Sequence, residues 1–190
     1  MLLISQNITN FNFPIPENAV FRINLAWINE LNDLNELLKK YPTRQIFLDL
    51  PINRTKPPNN RYTFEELIEI LKNNLNIKYL AISNVNDSND IKDYVGDVPN
   101  HISIVPKIES KMGVEKIDDI CNQLNYNEKI IMLDHDDLFS DLLKNDVPYE
   151  NFSKFVNQLI DYCNKNKIQL LRTIGVIFAN DHKEVKNYIK

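Results

Sequence analysis

The sequence predicts a parallel α/β fold of the (β/α) barrel type, trimmed or incomplete, and three observations support this. Short apolar runs rich in β-branched residues alternate in one direction with amphipathic segments, which is the pattern of a parallel sheet with helical crossovers. No internal repeat, linker or second domain interrupts the alternation. The 190 residues suit one domain but fall short of the roughly 250 residues of a complete barrel. We therefore expect one barrel domain over residues 1–190.

The elements follow from periodicity and local signals. Strands are predicted at residues 1–5, 20–26, 45–50, 78–83, 102–109, 129–133 and 168–173. Helices are predicted at residues 28–41, 88–95 and 149–164. Another is predicted to begin at the capping box that Thr63 and Glu66 form, one to follow the fifth strand, and one to begin near residue 180. Residues 6–17 fit no helix, and the proline-rich residues 51–62 are predicted to form a loop.

Composition narrows the class of protein. The net charge of −4 and a pI near 5.4 give no basic surface for nucleic acid. No apolar run approaches the roughly 20 residues of a membrane span, and the N-terminus lacks the pattern of a secretory leader. Cys121 and Cys163 fall on apolar helix faces, which predicts buried reduced thiols and a cytoplasmic protein. The three glycines form no phosphate-binding loop.

The stretch ISIVPKIESKMGV, residues 102–114, carries the strongest signal for a functional site. Lys107 and Glu109 stand two apart at the end of an apolar strand, so they share one face of it. Burying a cation and a carboxylate there is costly unless they bind something. The carboxyl ends of barrel strands are where active sites lie. An edge strand with surface charges is the alternative interpretation.

A second charged cluster, Asp134-His135-Asp136-Asp137, directly follows the sixth strand. Carboxylates from separate strand ends form the incomplete oxygen set that holds Mg²⁺ or Mn²⁺ while substrate and water complete the coordination. Glu109 and Asp137 are therefore the predicted metal ligands. An acidic turn of this kind is also common as a solvated loop or helix cap.

The charged strand ends also resemble those of the pyruvate kinase family. The segments FRIN, FLDL, YLAISNVNDSNDI, KIESKMGV, IIMLDHDDL and CNKNKIQLLRTIG are similar to successive family segments, in the same order and spacing between residues 20 and 175. The resemblance implies a pyruvate kinase-like barrel domain that acts on phosphoenolpyruvate, pyruvate or a related oxo acid through an enolate. Phosphoryl transfer and aldol or lyase chemistry are both compatible with it.

The resemblance also implies roles for individual residues. Lys107 would be the catalytic lysine that stabilises charge on the phosphoryl group and enolate, and Glu109 and Asp137 would bind the divalent cation. Arg22 would contact a phosphate or carboxylate of the substrate. Thr173 would lie over the methylene carbon of the enolpyruvate. The alternatives are a structural ion pair of Arg22 with Asp49, and a Thr173 that is only a residue of its strand.

Other positions concern a monovalent cation and the substrate carboxylate. Asn24 and Asp49 match two groups that hold K⁺ in the family, but Ala26 and Trp27 replace a serine and a histidine. Asp136 stands where the family has a glycine whose backbone approaches the substrate carboxylate, so it is a candidate substrate-binding residue. A carboxylate there would repel that ligand unless it too binds metal.

Further departures argue against classical phosphoryl transfer to ADP. The family's lid domain is replaced by the short proline-rich loop, and the C-terminal domain and eighth strand have no counterpart. Met112 also replaces a polar residue of the family's signature. The alternative hypothesis is a non-catalytic pyruvate kinase-like barrel that binds a metabolite or a partner protein. An incomplete barrel would leave an open side, so we expect a homodimer or a partner chain that covers it.

Overall fold

The computed structural model describes residues 1–10, 12, 14–52 and 60–172. Its centre is a seven-stranded, all-parallel sheet in which each strand pairs with the next in chain order. The strands are β1 (Leu3–Ser5), β2 (Val20–Asn24), β3 (Ile46–Leu50), β4 (Ile77–Ile82), β5 (Ser103–Ile108), β6 (Ile130–Leu133) and β7 (Gln169–Arg172).

The helices form the crossovers between strands, as expected for parallel neighbours. Among the described residues they are α1 (Leu31–Lys39), α2 (Phe64–Asn73), α3 (Asn89–Asp97), α4 (Lys111–Glu115), α5 (Ile117–Asn122), α6 (His135–Lys144) and α7 (Phe152–Asn166). The predicted parallel α/β fold is thereby confirmed. The sheet is curled into a half-barrel and is not a closed barrel: no pairing joins β1 to β7 within the described part of the chain.

Several local predictions require correction. Residues Gln6–Asn10 form a 3₁₀ helix where none was expected, and Leu25–Trp27 form another where the second strand was extended too far. The acidic cluster after β6 is a helix cap rather than a solvated loop, because Asp134 caps α6, which was not among the predicted helices. The predicted helix from about Asn180 lies outside the described residues.

The capping box that opens α2 is confirmed. The Thr63 hydroxyl accepts from the backbone N–H of Glu66 at 3.3 Å, and the Thr63 N–H donates to the Glu66 carboxylate at 2.8 Å. These two hydrogen bonds satisfy donors that the first helical turn would otherwise leave unpaired. The box begins α2 directly beyond the proline-rich segment.

Two apolar layers cover the two faces of the sheet. The larger core joins the outer strand face to the helices, and includes Leu34, Leu67, Ile91, Ile120 and Leu159. The smaller core lies on the opposite, inner face and consists of Val20, Phe47, Ala81, Val105, Ile130, Met132 and Leu171. Strand side chains alternate between faces, so residues two positions beyond this inner layer point to the same side. This places the next layer, which is polar, at the carboxyl ends of the strands.

None of the helices in the described residues is both long enough and apolar enough to cross a bilayer.

The two cysteines provide a test of the core. Both are buried free thiols, and burial raises the pKa of Cys121 to about 11 and that of Cys163 to about 12. Because the thiolate is the reactive form, we expect labelling at pH 8 to be at least about 100-fold slower in the folded protein than in guanidinium. The labelling rate can be followed by the colour that an aromatic disulfide reagent releases when it reacts with a thiol. Rapid reaction of both thiols in native buffer would contradict the described packing around α5 and α7.

Candidate active site

A polar cleft of about 530 Å³ opens at the carboxyl ends of β2 to β6. Side chains of a strand alternate between the two faces of the sheet, so residues two apart lie on the same face. Four polar residues of the cleft each stand two residues beyond a member of the inner apolar layer and therefore face the cleft: Arg22, Asp49, Ser83 and Lys107. The full lining is Arg22, Asn24, Asp49, Pro51, Ser83, Asn84, Asn86, Lys107, Glu109, Ser110, Asp134, Asp137, Ser140, Asp141 and Lys144.

Lys107 occupies the floor of this cleft and is 5% exposed. Its Nζ lies 2.8 Å from Glu109 Oε1 and 3.5 Å from Asp49 Oδ1, and it donates to Ser83 Oγ at 3.3 Å. Burial alone would lower the pKa of Lys107, but the two carboxylates outweigh it and the pKa is raised. The ammonium is therefore charged at neutral pH and held in one place.

Glu109, directly after β5, is equally buried. One of its oxygens faces Lys107, and the other accepts from the backbone N–H of Asn84 at 2.6 Å. Burial of the carboxylate raises the pKa of Glu109, although Lys107 and the Asn84 hydrogen bond act in the opposite direction. The predicted shared face of Lys107 and Glu109 is thus realised as a direct ion pair inside the cleft.

Asn84 explains how that backbone N–H comes to face Glu109. It follows β4 with a φ of 55°, in the left-handed region that asparagine tolerates better than most residues. Its side-chain amide donates to the carbonyl of Ile52 at 2.6 Å, which joins the ends of β3 and β4. The turn therefore aims a main-chain donor into the site.

Three carboxylates converge beside this pair. One oxygen each from Glu109, Asp134 and Asp137 lie within 4.8 Å of one another. Asp134 also caps α6, because its Oδ1 accepts from the Asp137 N–H at 3.4 Å. The structure thus brings together the two predicted ligands, and adds Asp134. Three oxygen donors fit a hard cation such as Mg²⁺ or Mn²⁺.

Arg22 and Asp49 form the opposite wall. The Asp49 carboxylate is 2% exposed and accepts from Arg22 Nε at 3.0 Å and also from its Nη2. The side chain of Arg22 is 25% exposed. Nearby, the side-chain oxygen of Asn24 accepts from the Ala26 N–H at 3.0 Å.

Of the predicted substrate-binding residues, the described residue Asp136 is not brought into the cleft. Asp136 lies in the first turn of α6, is exposed and does not line the cleft. Thr173 lies outside the described residues. Both remain predictions.

Sequence reasoning missed Asp134, Ser83 and Asn84 as site residues. Ser83 could have been found because it stands two residues beyond Ala81 and so lies on the same face of the strand. Asp134 could have been found because it stands between an apolar strand and a helical pattern. Nothing in the local sequence distinguishes Asn84 from the other asparagines of this asparagine-rich chain. Its role depends on a main-chain hydrogen bond.

The charge of the cleft is unbalanced. Its described lining contains five carboxylates, Asp49, Glu109, Asp134, Asp137 and Asp141, against the three cations Arg22, Lys107 and Lys144. At their usual ionisation these leave two negative charges. Such a cleft disfavours a free anionic metabolite and favours a divalent cation, with which an anion could then bind.

Comparison with protein-family models finds no match. Comparison with curated proteins also finds no match. Among solved structures, the crystal structure of RipC from Yersinia pestis is similar to this chain, with a TM-score of 0.60 and 14% sequence identity. The alignment covers 85% of this chain and 72% of that one. At such low identity the likeness shows the fold alone.

The left-handed turn can be tested by comparing two replacements of Asn84. Both Asn84→Gly and Asn84→Ala lose the amide bond to Ile52, but only glycine adopts a positive φ without strain. We expect the glycine variant to be more stable in urea unfolding by about 1 kcal/mol.

The matched control is Asn157, which is exposed in α7. There alanine should be more stable than glycine by roughly 0.5–1 kcal/mol. If alanine were also the more stable replacement at position 84, the turn would not have the backbone conformation described.

Proposed function

We propose that the protein is a divalent-metal-dependent enzyme that acts on phosphoenolpyruvate, pyruvate or a related oxo acid through an enolate. The observation that carries the proposal is the position of one buried ammonium, Lys107, beside three converging carboxylates in a single cleft. Enolate chemistry requires fixed positive charge where an oxygen becomes negative. The likeness to pyruvate kinase segments described above supports the same class of substrate.

The carboxylates Glu109, Asp134 and Asp137 would hold Mg²⁺ or Mn²⁺. The fit rests on their hard oxygen donors, their convergence within 4.8 Å and the excess negative charge of the cleft. When bound, such a cation would polarise a carbonyl or carboxylate oxygen of the substrate.

Lys107 would supply the second positive charge at the reacting oxygen. Its contacts with Asp49, Glu109 and Ser83 fix the ammonium before any ligand arrives, so little reorganisation is needed during the reaction. Its raised pKa keeps it a hydrogen-bond donor rather than a base. We therefore assign it to charge stabilisation and not to proton abstraction.

Arg22 would bind the substrate's carboxylate or phosphate. Two of its nitrogens are engaged by Asp49, whereas Nη1 has no hydrogen bond to any part of the chain that the structure describes. A quarter of the side chain is exposed at the cleft wall. A guanidinium held on one edge presents its other edge to an anion.

The reaction class remains either phosphoryl transfer or aldol or lyase cleavage. Between the end of β3 and the start of α2 there are 13 residues, 51–63. A segment of that length cannot form a separate domain that closes over a nucleotide. This favours carbon–carbon bond chemistry over transfer to ADP.

Calorimetric titration tests the proposal with Mn²⁺ and then with oxalate, an enolate mimic. We expect wild-type protein to bind Mn²⁺, and to bind oxalate only after Mn²⁺ because the free cleft carries excess negative charge. Glu109→Gln and Asp134→Asn should each weaken Mn²⁺ binding by at least about tenfold, since each removes a charged oxygen ligand.

Glu36→Gln is the matched control, because Glu36 is exposed on α1 and pairs only with Lys39 among the described residues. It should bind both ligands like wild type. Folded protein that binds neither Mn²⁺ nor Mn²⁺–oxalate would support the non-catalytic alternative instead.

We also propose that a second copy or another chain covers the exposed sheet edges. Within the described residues β1 pairs only with β2, and β7 only with β6. Edge strands of a parallel sheet are usually covered, since their open backbone groups pair readily with other strands. The two reduced thiols support a cytoplasmic setting for this assembly.

Light scattering tests the assembly. The chain mass is 22.3 kDa, and we expect the protein at micromolar concentration to have about twice this mass. A mass of one chain at that concentration would exclude the homodimer and leave coverage by a different partner.

A further inference from the structure

Asp49 lies between Arg22 of the cleft wall and Lys107 of the cleft floor. Its Oδ2 accepts from Arg22, and its Oδ1 is 3.5 Å from the ammonium of Lys107. The carboxylate is almost fully buried on β3, whereas the cations extend from β2 on one side and from β5 two strands away on the other. One carboxylate therefore links the anion-binding wall to the reactive floor.

The same contacts conflict with a monovalent-cation site. The resemblance assigned K⁺ to Asn24 and Asp49, but the Asn24 oxygen is used by the Ala26 N–H and both oxygens of Asp49 face cations. K⁺ at Asp49 would add a third positive charge next to Arg22 and Lys107. These residues do not fit K⁺.

We propose that Asp49 is a positioning residue that sets the separation between the Arg22 guanidinium and the Lys107 ammonium, and that ligand binding in this cleft is independent of K⁺. The inference rests on the proposed function, because it assigns Asp49 to the binding of the same metal–oxo acid ligand. Asp49 acts through its two partners and does not touch the ligand.

The physical reason is the flexibility of the two cationic side chains. Arginine and lysine have the largest rotamer freedom of the amino acids, and ordering either one costs free energy that a ligand would otherwise have to supply. Asp49 orders both in advance. Without it, Lys107 would retain Glu109 and Ser83, but Arg22 would lose the carboxylate that fixes its Nε edge.

A purely structural ion pair between Arg22 and Asp49 is the competing interpretation, and Asp49→Asn separates the two. This change keeps the shape of the side chain but makes the cleft more positive by one unit. If Asp49 contributed charge alone, Mn²⁺-dependent oxalate binding would become tighter. A positioning role predicts the opposite: oxalate affinity at least about tenfold lower, with Mn²⁺ affinity within about threefold of wild type.

A double-mutant cycle on oxalate affinity tests whether Asp49 acts through Arg22. In an Arg22→Gln background one of the two positioned cations is already absent, so Asp49→Asn should cost clearly less oxalate affinity than it does alone. Additive losses would contradict action through Arg22. Circular dichroism and thermal melting would show that each variant is folded.

A third arm uses wild-type protein only and stays informative if Asp49→Asn does not fold. Oxalate affinity at saturating Mn²⁺ should be the same in KCl and in tetramethylammonium chloride of equal ionic strength. More than about threefold tighter binding in KCl would overturn the proposal, since Asp49 would then bind K⁺.

The possible failures are distinguishable. Wild-type protein that does not bind Mn²⁺–oxalate would overturn both the proposed function and the positioning role. Equal or tighter oxalate binding by Asp49→Asn, with wild type binding normally, would overturn only the positioning role.

Discussion

The buried ion cluster of Lys107, Glu109 and Asp49 is the constraint on which the rest of the site depends. Each of these residues is at most 5% exposed, and removing such a charge from water costs several kcal/mol even after relaxation. Mutual attraction offsets that cost only when the geometry is good and the remaining hydrogen-bond positions are filled. The Ser83 hydroxyl and the Asn84 main chain provide two of those hydrogen bonds. An apolar layer at this level would be simpler to fold, and this cost is one reason for proposing that the cluster serves ligand binding.

The fold positions this cluster through register. Parallel neighbours place equivalent residues at the same height, and the pairing of Asn24 with Asp49 and of Lys107 with Met132 aligns the strand ends. Toward the amino ends of the strands the inner face of the sheet is apolar, and beyond the carboxyl ends the chain turns outward into helices. Charged side chains at this boundary have a rigid support on one side and open space on the other. A cleft lined by fixed charges follows from the alternation of side chains in the strands.

Much of this arrangement could be predicted from the sequence, because the relevant information is local. The apolar runs predicted all seven described strands, and the predicted strand ends differ from the observed ones by no more than two residues. The spacing of Lys107 and Glu109 predicted that they share one face of β5. What escaped prediction depends on contacts between distant segments. The role of Asn84, for example, depends on a carboxylate 25 residues later in the chain. For the acidic cluster after β6 the sequence left a solvated loop and a helix cap both open, and the hydrogen bond from the Asp137 N–H to Asp134 decides for the cap of α6.

The two walls of the cleft differ in a way that constrains how any ligand binds. On the β5–β6 side the carboxylates outnumber the cations, whereas on the β2–β3 side Arg22 and Asp49 balance each other. An anionic oxo acid is therefore repelled by one wall and attracted only weakly by the other until a divalent cation neutralises the acidic side. Under the proposed function, cation and anion binding would therefore be coupled, and each would raise the affinity for the other by the same factor. Lys107 contacts a carboxylate of each wall, Asp49 on one side and Glu109 on the other. If the cleft binds a metal and an anion as proposed, Lys107 is the residue that would transmit a change on the acidic side to the Arg22 side.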